Sequence, residues 1–231
     1  MMPFQDVLGQ LPLLKSYTHI LLVFPLPTSQ RDSVLGSLQC ATKRLLSTFP
    51  FLSGVVVHKD IRPGHSGTFS VDLPDGVSDS ADNVSQILHV KHLSSLLPDY
   101  VTLHAAKAPA AMLPGTLVAL PRPAFPRIYT ESTAPVLEIQ ASLINGGMLL
   151  TLAAQHNVID ATGIFYVAHV LSRFIDDPDA VLPESEIRMG NIERMKLIPI
   201  LPSDQQLPKE LDIFTKNRPI QLTREVLNEY K

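Results

Sequence analysis

Cysteine is nearly absent from this chain, which has one residue of that type, Cys40, among 231. A single cysteine cannot form an intramolecular disulfide, so the sequence predicts a reducing compartment. Residues 1–15 lack the basic start and the long apolar core of a secretory signal. No apolar run reaches the roughly 18 to 20 residues that a membrane span requires. We therefore expect a soluble, cytoplasmic protein with no membrane partner.

An excess of charge of one sign is also missing. The chain has 19 Lys and Arg against 22 Asp and Glu, a net charge of -3, and no stretch in which basic residues dominate. This balance excludes a nucleic-acid partner on electrostatic grounds and is compatible with small organic substrates. A hydrophobic content of 45% over 231 residues suits one large domain, or one domain and part of another.

Glycine is scarce relative to proline, with 11 against 20, and the prolines separate apolar segments. In the first half, a compact β-branched and aromatic run predicts a strand at residues 17–24. Ser29 and Asp32 have the spacing of a capping box, and apolar residues then recur at helical intervals until Phe49 and Pro50. Residues 55–58 and 68–73 predict a short β-hairpin. Further on we expect a strand near 87–90, a short helix at 98–106 and an irregular segment over 108–127.

The second half has the clearer pattern. Residues 135–143 and 148–154 predict two strands joined by the turn residues Asn145, Gly146 and Gly147. A helix with one apolar side follows at 162–176. We predict an N-terminal domain at 1–182, a crossover linker at 183–218, and the truncated start of a second domain at 219–231.

One His and one Asp lie between the last strand and the last helix of that domain, in the sequence His156-Asn157-Val158-Ile159-Asp160. Histidine has the side-chain pKa closest to neutral pH, which suits it to proton transfer. A loop held by regular structure on both sides can fix such a base in place. From spacing alone, a loop histidine that satisfies backbone groups and an Asp that caps the helix explain the same residues.

The remaining candidates favour structural roles. His169 is predicted to lie on a helix face, and Cys40 to be a core thiol in the first helix. His89, His92 and His104 lack the spacing of a metal site, so we expect no metal.

His156, Asp160 and Gly163 resemble the HxxxD signature of the BAHD acyltransferases, and particularly of their fungal relatives similar to trichothecene acetyltransferases. The strand at 17–25 resembles the first strand of that family. Residues 46–54, with the sequence LSTFPFLSG, resemble the "FPxLAG"-like turn after its first helix. The resemblance covers most of residues 11–178, which corresponds to the first half of such an enzyme.

This resemblance implies an α/β fold like that of chloramphenicol acetyltransferase, with a mixed sheet flanked by helices, in the first of two domains. It implies transfer of an acyl group from acyl-CoA, with acetyl-CoA as the expected co-substrate and no bound cofactor, to a hydroxyl or amine of a small secondary metabolite. On that basis His156 is the general base, Asp160 braces the loop, and Gly163 permits close packing. A monomer is implied where both domains are present.

Two alternatives stay open. The family's DFGWG-like motif belongs to its second domain, and this chain has no Trp. The chain is therefore also interpreted as a truncated half-domain without activity of its own. A peptide-synthetase condensation domain has a similar signature, but here Gln155 replaces its additional His and Ala161 replaces its Gly.

Overall fold

Two β-sheets and the helices around them make up the part of the chain that can be described. The computed structural model describes residues 8–11, 14–60, 63, 67–73, 81–120, 122 and 134–192. The strands are β1 (Tyr17–Pro25), β2 (Val55–Lys59), β3 (Thr68–Asp72), β4 (Leu88–His92), β5 (Ala134–Pro135), β6 (Leu137–Ile144) and β7 (Gly147–Gln155). The helices are α1 (Arg31–Thr48), α2 (Ala81–Ile87), α3 (Tyr100–Ala105), α4 (Gly115–Val118), α5 (Ala161–Asp176) and α6 (Glu184–Asn191).

The larger sheet has the strand order β1-β7-β6-β4. β7 pairs antiparallel with β1 and with β6, whereas β4 pairs parallel with β6, so the sheet is mixed. Asn145 and Gly146 form the two-residue connection between β6 and β7, as the sequence predicts, and Gly146 adopts a φ of 70°. Glycine tolerates this left-handed conformation without the steric cost that a side chain would carry.

Helices α1 and α5 cover one face of the larger sheet. The apolar positions predicted for the two helices are those that the core buries or half-buries, including Leu38, Leu45, Ile164 and Leu171. The predicted capping box is wrong. Residues Thr28–Gln30 form a 3-10 turn instead, and no side chain caps α1.

The opposite face of this sheet is covered by residues 93–118, including α3 and α4. A second apolar cluster lies there, formed by Leu93, Leu97, Leu103, Val118, Ile144 and Leu149. The prediction of a mixed sheet with helices on its faces is therefore confirmed. The residues of β6 alternate between apolar and polar types, yet all eight are buried because both faces of the strand are covered.

The smaller sheet has the order β3-β2-β5. β2 and β3 pair antiparallel, which confirms the hairpin predicted for residues 55–73. β2 also pairs with the two residues of β5, and β5 leads into β6 through Val136, whose backbone N–H donates to the Gly54 carbonyl at 2.9 Å. The start of β6 is therefore held by both sheets.

Helix α6 lies in the segment predicted as a crossover linker, residues 183–218. Tyr166 Oη donates to Glu186 Oε2 at 2.9 Å, and Asn191 Nδ2 donates to the Thr48 carbonyl at 2.8 Å. Contacts with α5 and α1 thus hold a helix that has no buried residue of its own.

The chain divides into two compact units, residues 1–198 and 199–231. The second unit lies outside the described residues, as does the truncated start of a second domain predicted at 219–231. The domain limits at 182 and 218 stay predictions. Within the described residues, no helix combines the length and the apolar character needed to cross a membrane.

Candidate active site

The carboxyl end of β7 carries His156, and neighbouring strands hold that end in place. Gln155, the last residue of β7, pairs with Tyr17 of β1, and its N–H donates to the Val136 carbonyl at 2.9 Å. The His156 N–H donates to the Ser16 carbonyl at 2.8 Å. The backbone of His156 is therefore fixed by the residue that precedes β1.

A tight turn follows His156. The Val158 and Ile159 N–H groups both donate to the Gln155 carbonyl, at 2.9 and 3.0 Å. Asn157 and Ile159 are buried, with 5% of the surface of each exposed. The turn thus buries Asn157 and Ile159 in the protein, while His156 stays partly exposed.

The two ring nitrogens of His156 have different surroundings. Nδ1 is buried and has no hydrogen-bond partner in the described part of the chain. Nε2 does not share this buried, unpartnered state, and the ring as a whole is partly exposed. Nε2 is therefore the nitrogen that a molecule approaching this end of the sheet can reach.

Asp160 caps α5. Its Oδ1 accepts a hydrogen bond from the Gly163 N–H at 2.7 Å, and its backbone carbonyl accepts from the Ile164 N–H at 3.0 Å. A carboxylate in this position satisfies an N–H that the helix cannot satisfy itself and interacts favourably with the positive end of the helix dipole. The structure thus gives Asp160 the capping geometry that the sequence allowed.

Gly163 lies where the loop packs against the first turn of α5. A Cβ atom at this position would lie 2.8 Å from Ile159 Cγ2 and 3.3 Å from Asp160 Oδ1. A side chain at this position would therefore press against the loop, which accounts for a glycine here.

The other candidates lie away from this loop. His169 is exposed on α5, as predicted for a helix-face residue. Cys40 is exposed on α1, so the prediction of a core thiol is wrong: α1 buries the side that contains Leu38, Ala41 and Leu45. The described residues contain no group of three His, Cys, Asp or Glu side chains that could hold a metal ion.

A row of polar side chains on the larger sheet was not singled out from the sequence. His19 of β1 and Glu138 of β6 both pair with Ala153 of β7, so they project from the same face. Burial lowers the pKa of His19, while a hydrogen bond with the Tyr17 backbone and the charge of Glu138 oppose this shift. The alternation of polar residues along β6 was the available signal, but it did not reveal that the polar face is covered.

A shallow depression of about 540 Å³ lies near the other end of β1. It is lined by Val23, Tyr100, His104, Ala105, Lys107 and Ala108. Its lining contains none of the residues of the HxxxD loop, so we do not associate it with His156.

Comparison with known proteins gives a consistent family. Residues 16–174 match the family model of the trichothecene 3-O-acetyltransferase-like N-terminal domain. The O-acyltransferase pigD of Monascus ruber is 37% identical over 201 residues, which are 85% of this chain and 43% of that protein. The O-acetyltransferase epaC of Aspergillus niger is 32% identical over 208 residues, 88% of this chain and 43% of that protein.

A solved structure agrees with these relatives. The crystal structure of Fusarium sporotrichioides TRI101 complexed with coenzyme A and T-2 superimposes with a TM-score of 0.75 at 30% identity, over 90% of this chain and 46% of that one. The chain spans less than half the length of these matched proteins. The match includes the HxxxD loop and more than half of the 231 residues, so this chain belongs to the trichothecene 3-O-acetyltransferase-like family and carries its N-terminal domain.

Proposed function

We propose that this chain supplies the base-carrying half of an acyltransferase that moves an acyl group from acyl-CoA to a hydroxyl group of a small organic molecule. The observation that carries this proposal is the His156 loop: a partly exposed imidazole on a backbone held by the Ser16 carbonyl before it and the Asp160 cap after it. Matched relatives named as O-acyl- and O-acetyltransferases support the reaction class.

In the proposed reaction, His156 Nε2 accepts the proton of the acceptor hydroxyl. The hydroxyl oxygen attacks the thioester carbonyl, and the C–S bond breaks to give the ester and the thiolate of coenzyme A. The proton on the imidazole then passes to that thiolate, so the base is restored and no acyl-enzyme forms. General base catalysis of this kind contributes roughly 10²- to 10⁴-fold to the rate. Asp160 acts on the loop rather than on the substrate.

The co-substrates follow from what matched structures contain. Two structures of TRI101, from Fusarium sporotrichioides and Fusarium graminearum, are complexes with coenzyme A and T-2 or deoxynivalenol. For this chain we propose acetyl-CoA as the donor and a hydroxylated, largely apolar secondary metabolite as the acceptor, with no bound cofactor and no nucleic acid.

A second candidate function is favoured by the length of the match. The chain covers 43% of pigD and 46% of the TRI101 structure. The second candidate is therefore a half-enzyme, which transfers no acyl group unless a second half completes the site.

One experiment separates these candidates. The chain is incubated with acetyl-CoA and deoxynivalenol or other hydroxylated terpenoids, and free thiol is followed with a chromogenic reagent. Acceptor-dependent thiol release that is lost in His156→Ala supports the enzyme. Release that survives in His156→Ala rules out His156 as the base. Absence of release from the folded wild-type chain supports the half that needs completion.

A further inference from the structure

The segment before β1 lies against the HxxxD loop. Asn157 Nδ2 donates to the Gly9 carbonyl, and also to the Leu11 carbonyl at 3.4 Å. The Ser16 carbonyl of the same segment accepts the His156 N–H. We call residues 9–11 and 14–16 the N-terminal strap. It contacts both the proposed base and the residue after it.

The other side of the strap is fixed to the smaller sheet. Gln10 Nε2 donates to the Phe69 carbonyl at 2.9 Å, and the Phe69 N–H donates to Gln10 Oε1 at 2.7 Å. The Gln10 carboxamide thus pairs with the backbone of β3 as a neighbouring strand would. The Lys15 ammonium also lies 5.4 Å from the centroid of the Phe69 ring. The strap therefore connects β3 with the loop at the end of β7.

Asparagine suits this position in the loop. Asn157 is 5% exposed, and its Nδ2 provides two donors for two backbone carbonyls. Those carbonyls belong to the 3-10 turn Leu8–Gln10 and to the residue after it, and the Leu11 carbonyl also accepts the Leu14 N–H at 3.0 Å. An alanine would leave both carbonyls without this donor, and an aspartate would place negative charge against them.

The His156 ring depends on this backbone. Its Nδ1 has no hydrogen-bond partner in the described residues, so no hydrogen bond to that nitrogen fixes the orientation of the ring. The position of the imidazole is then set by the main chain on either side, where the Ser16 and Asn157 contacts act. A displacement of about 1 Å at a reacting group can cost on the order of 10²-fold in rate.

We propose that Asn157 and Gln10 are positioning residues for His156, and that they act together through the N-terminal strap. This inference rests on the proposed function of His156 as the base. It assigns no contact with substrate to either residue. Gln10 acts at a distance, because it fixes the strap whose carbonyls hold Asn157.

The test compares Gln10→Ala, Asn157→Ala and the double variant with the matched control Asn145→Ala. Asn145 Nδ2 also donates to a backbone carbonyl, that of Ser94 at 3.3 Å, but lies at the other end of β7. We expect each strap variant to lower kcat by about tenfold or more, with KM for acetyl-CoA changed less than about threefold. The double variant should lose little more than either single variant, because both break one connection. Asn145→Ala should keep the wild-type kcat.

A second readout does not need turnover. The ring signal of His156 in a carbon-13 correlation spectrum is assigned by its disappearance in His156→Ala. We expect Gln10→Ala and Gln10→Glu, which change a residue outside the loop, to shift or broaden this signal and to leave the His104 signal unchanged. Folding of each variant is checked by circular dichroism. If Asn157→Ala does not fold, the two Gln10 variants carry the test.

The outcomes are distinguishable from those for the proposed function. Wild-type kcat in the folded strap variants, or an unchanged His156 signal in them, would contradict the proposal that the strap positions His156. If thiol release survives in His156→Ala, the proposed function of His156 as the base fails, and if release is absent from the wild type, the chain needs a second half for turnover. The ring signal alone then decides whether the strap positions His156.

Discussion

Arg122 and Glu138 form a two-pronged ion pair on the face of the larger sheet that also carries His19. Arg122 Nε donates to Glu138 Oε2 at 2.6 Å, and Arg122 Nη2 donates to Oε1 at 2.9 Å. The Glu138 side chain is 4% exposed, and His89 Nε2 lies 3.7 Å from its Oε1. A buried carboxylate thus depends on one guanidinium for its two hydrogen bonds.

Removal of one member of this pair should destabilise the fold more than removal of both. We expect Arg122→Met to lower the free energy of unfolding by about 3 to 5 kcal/mol, because it leaves Glu138 buried and charged. The double variant Arg122→Met with Glu138→Leu should recover most of that loss. Urea unfolding of the two variants and the wild type gives the comparison. Equal losses in both would contradict this account.

The Asp160 cap gives a second prediction. Asp160→Ala should lower the free energy of unfolding by about 1 kcal/mol, the usual cost of losing an N-cap side chain. The matched control is Asp99→Ala, because Asp99 caps α3 in the same way, with its Oδ1 accepting from the Thr102 N–H at 2.8 Å. Both variants should be less stable than the wild type in urea. Only Asp160→Ala should also reduce acyl transfer, since only that cap adjoins His156. Equal activities of the two variants would show that the Asp160 cap has no effect on the candidate site.

The contact at Gly163 gives a third prediction. Gly163→Ala should cost about 1 to 3 kcal/mol, because its Cβ would lie 2.8 Å from Ile159 Cγ2 in a packed turn. Gly36→Ala, in α1, has no atom within 4 Å of the new Cβ and should stabilise the protein by up to about 1 kcal/mol. Thermal unfolding of both tests the pair. In an Ile159→Ala background the cost of Gly163→Ala should fall, and a constant cost would refute the contact.

The environment of His19 predicts a pH dependence of stability. Burial lowers its pKa in the folded protein below the usual 6.5, so the unfolded chain binds more protons once the pH falls below that value. The free energy of unfolding should therefore be unaffected by His19 above about pH 6.5, and it should decrease as the pH falls from there towards the pKa of His19 in the folded protein. His19→Gln should reduce this slope. Unfolding free energies of both proteins between pH 7.5 and about pH 5 provide the measurement, and identical slopes would contradict the role of His19.

Much of the fold could be predicted from periodicity. The apolar side of α5 and the β6–β7 hairpin follow from repeats of about 3.6 and 2 residues within short windows. Helix α6 could not be predicted in this way, because its eight residues include none that is buried. It is held by tertiary contacts such as the Tyr166–Glu186 hydrogen bond. Cys40 was misplaced because apolar residues such as Leu38 and Ala41 lie near it in sequence, while its own side of α1 faces solvent.

The candidate site also combines features that local sequence predicts with features that only the fold creates. His156 and Asp160 lie within one local motif, and the cap between Asp160 and Gly163 spans three residues. The contact between Asn157 and Gly9 joins residues 148 positions apart. No local pattern carries information about such a pair, because the fold alone brings the two together. The polar row of His19 and Glu138 was missed for a similar reason, since its cover comes from a segment without clear periodicity.

The Asn157 contact also affects where this protein can be shortened. The family match begins at residue 16, so an N-terminal truncation at that point would look harmless from sequence similarity. It would nevertheless remove the Gly9 and Leu11 carbonyls to which Asn157 donates, and the Gln10 carboxamide paired with Phe69. Expression of a trimmed version would then leave a buried amide without its acceptors beside His156, and a fusion tag is safer when it is attached upstream of the complete leading segment.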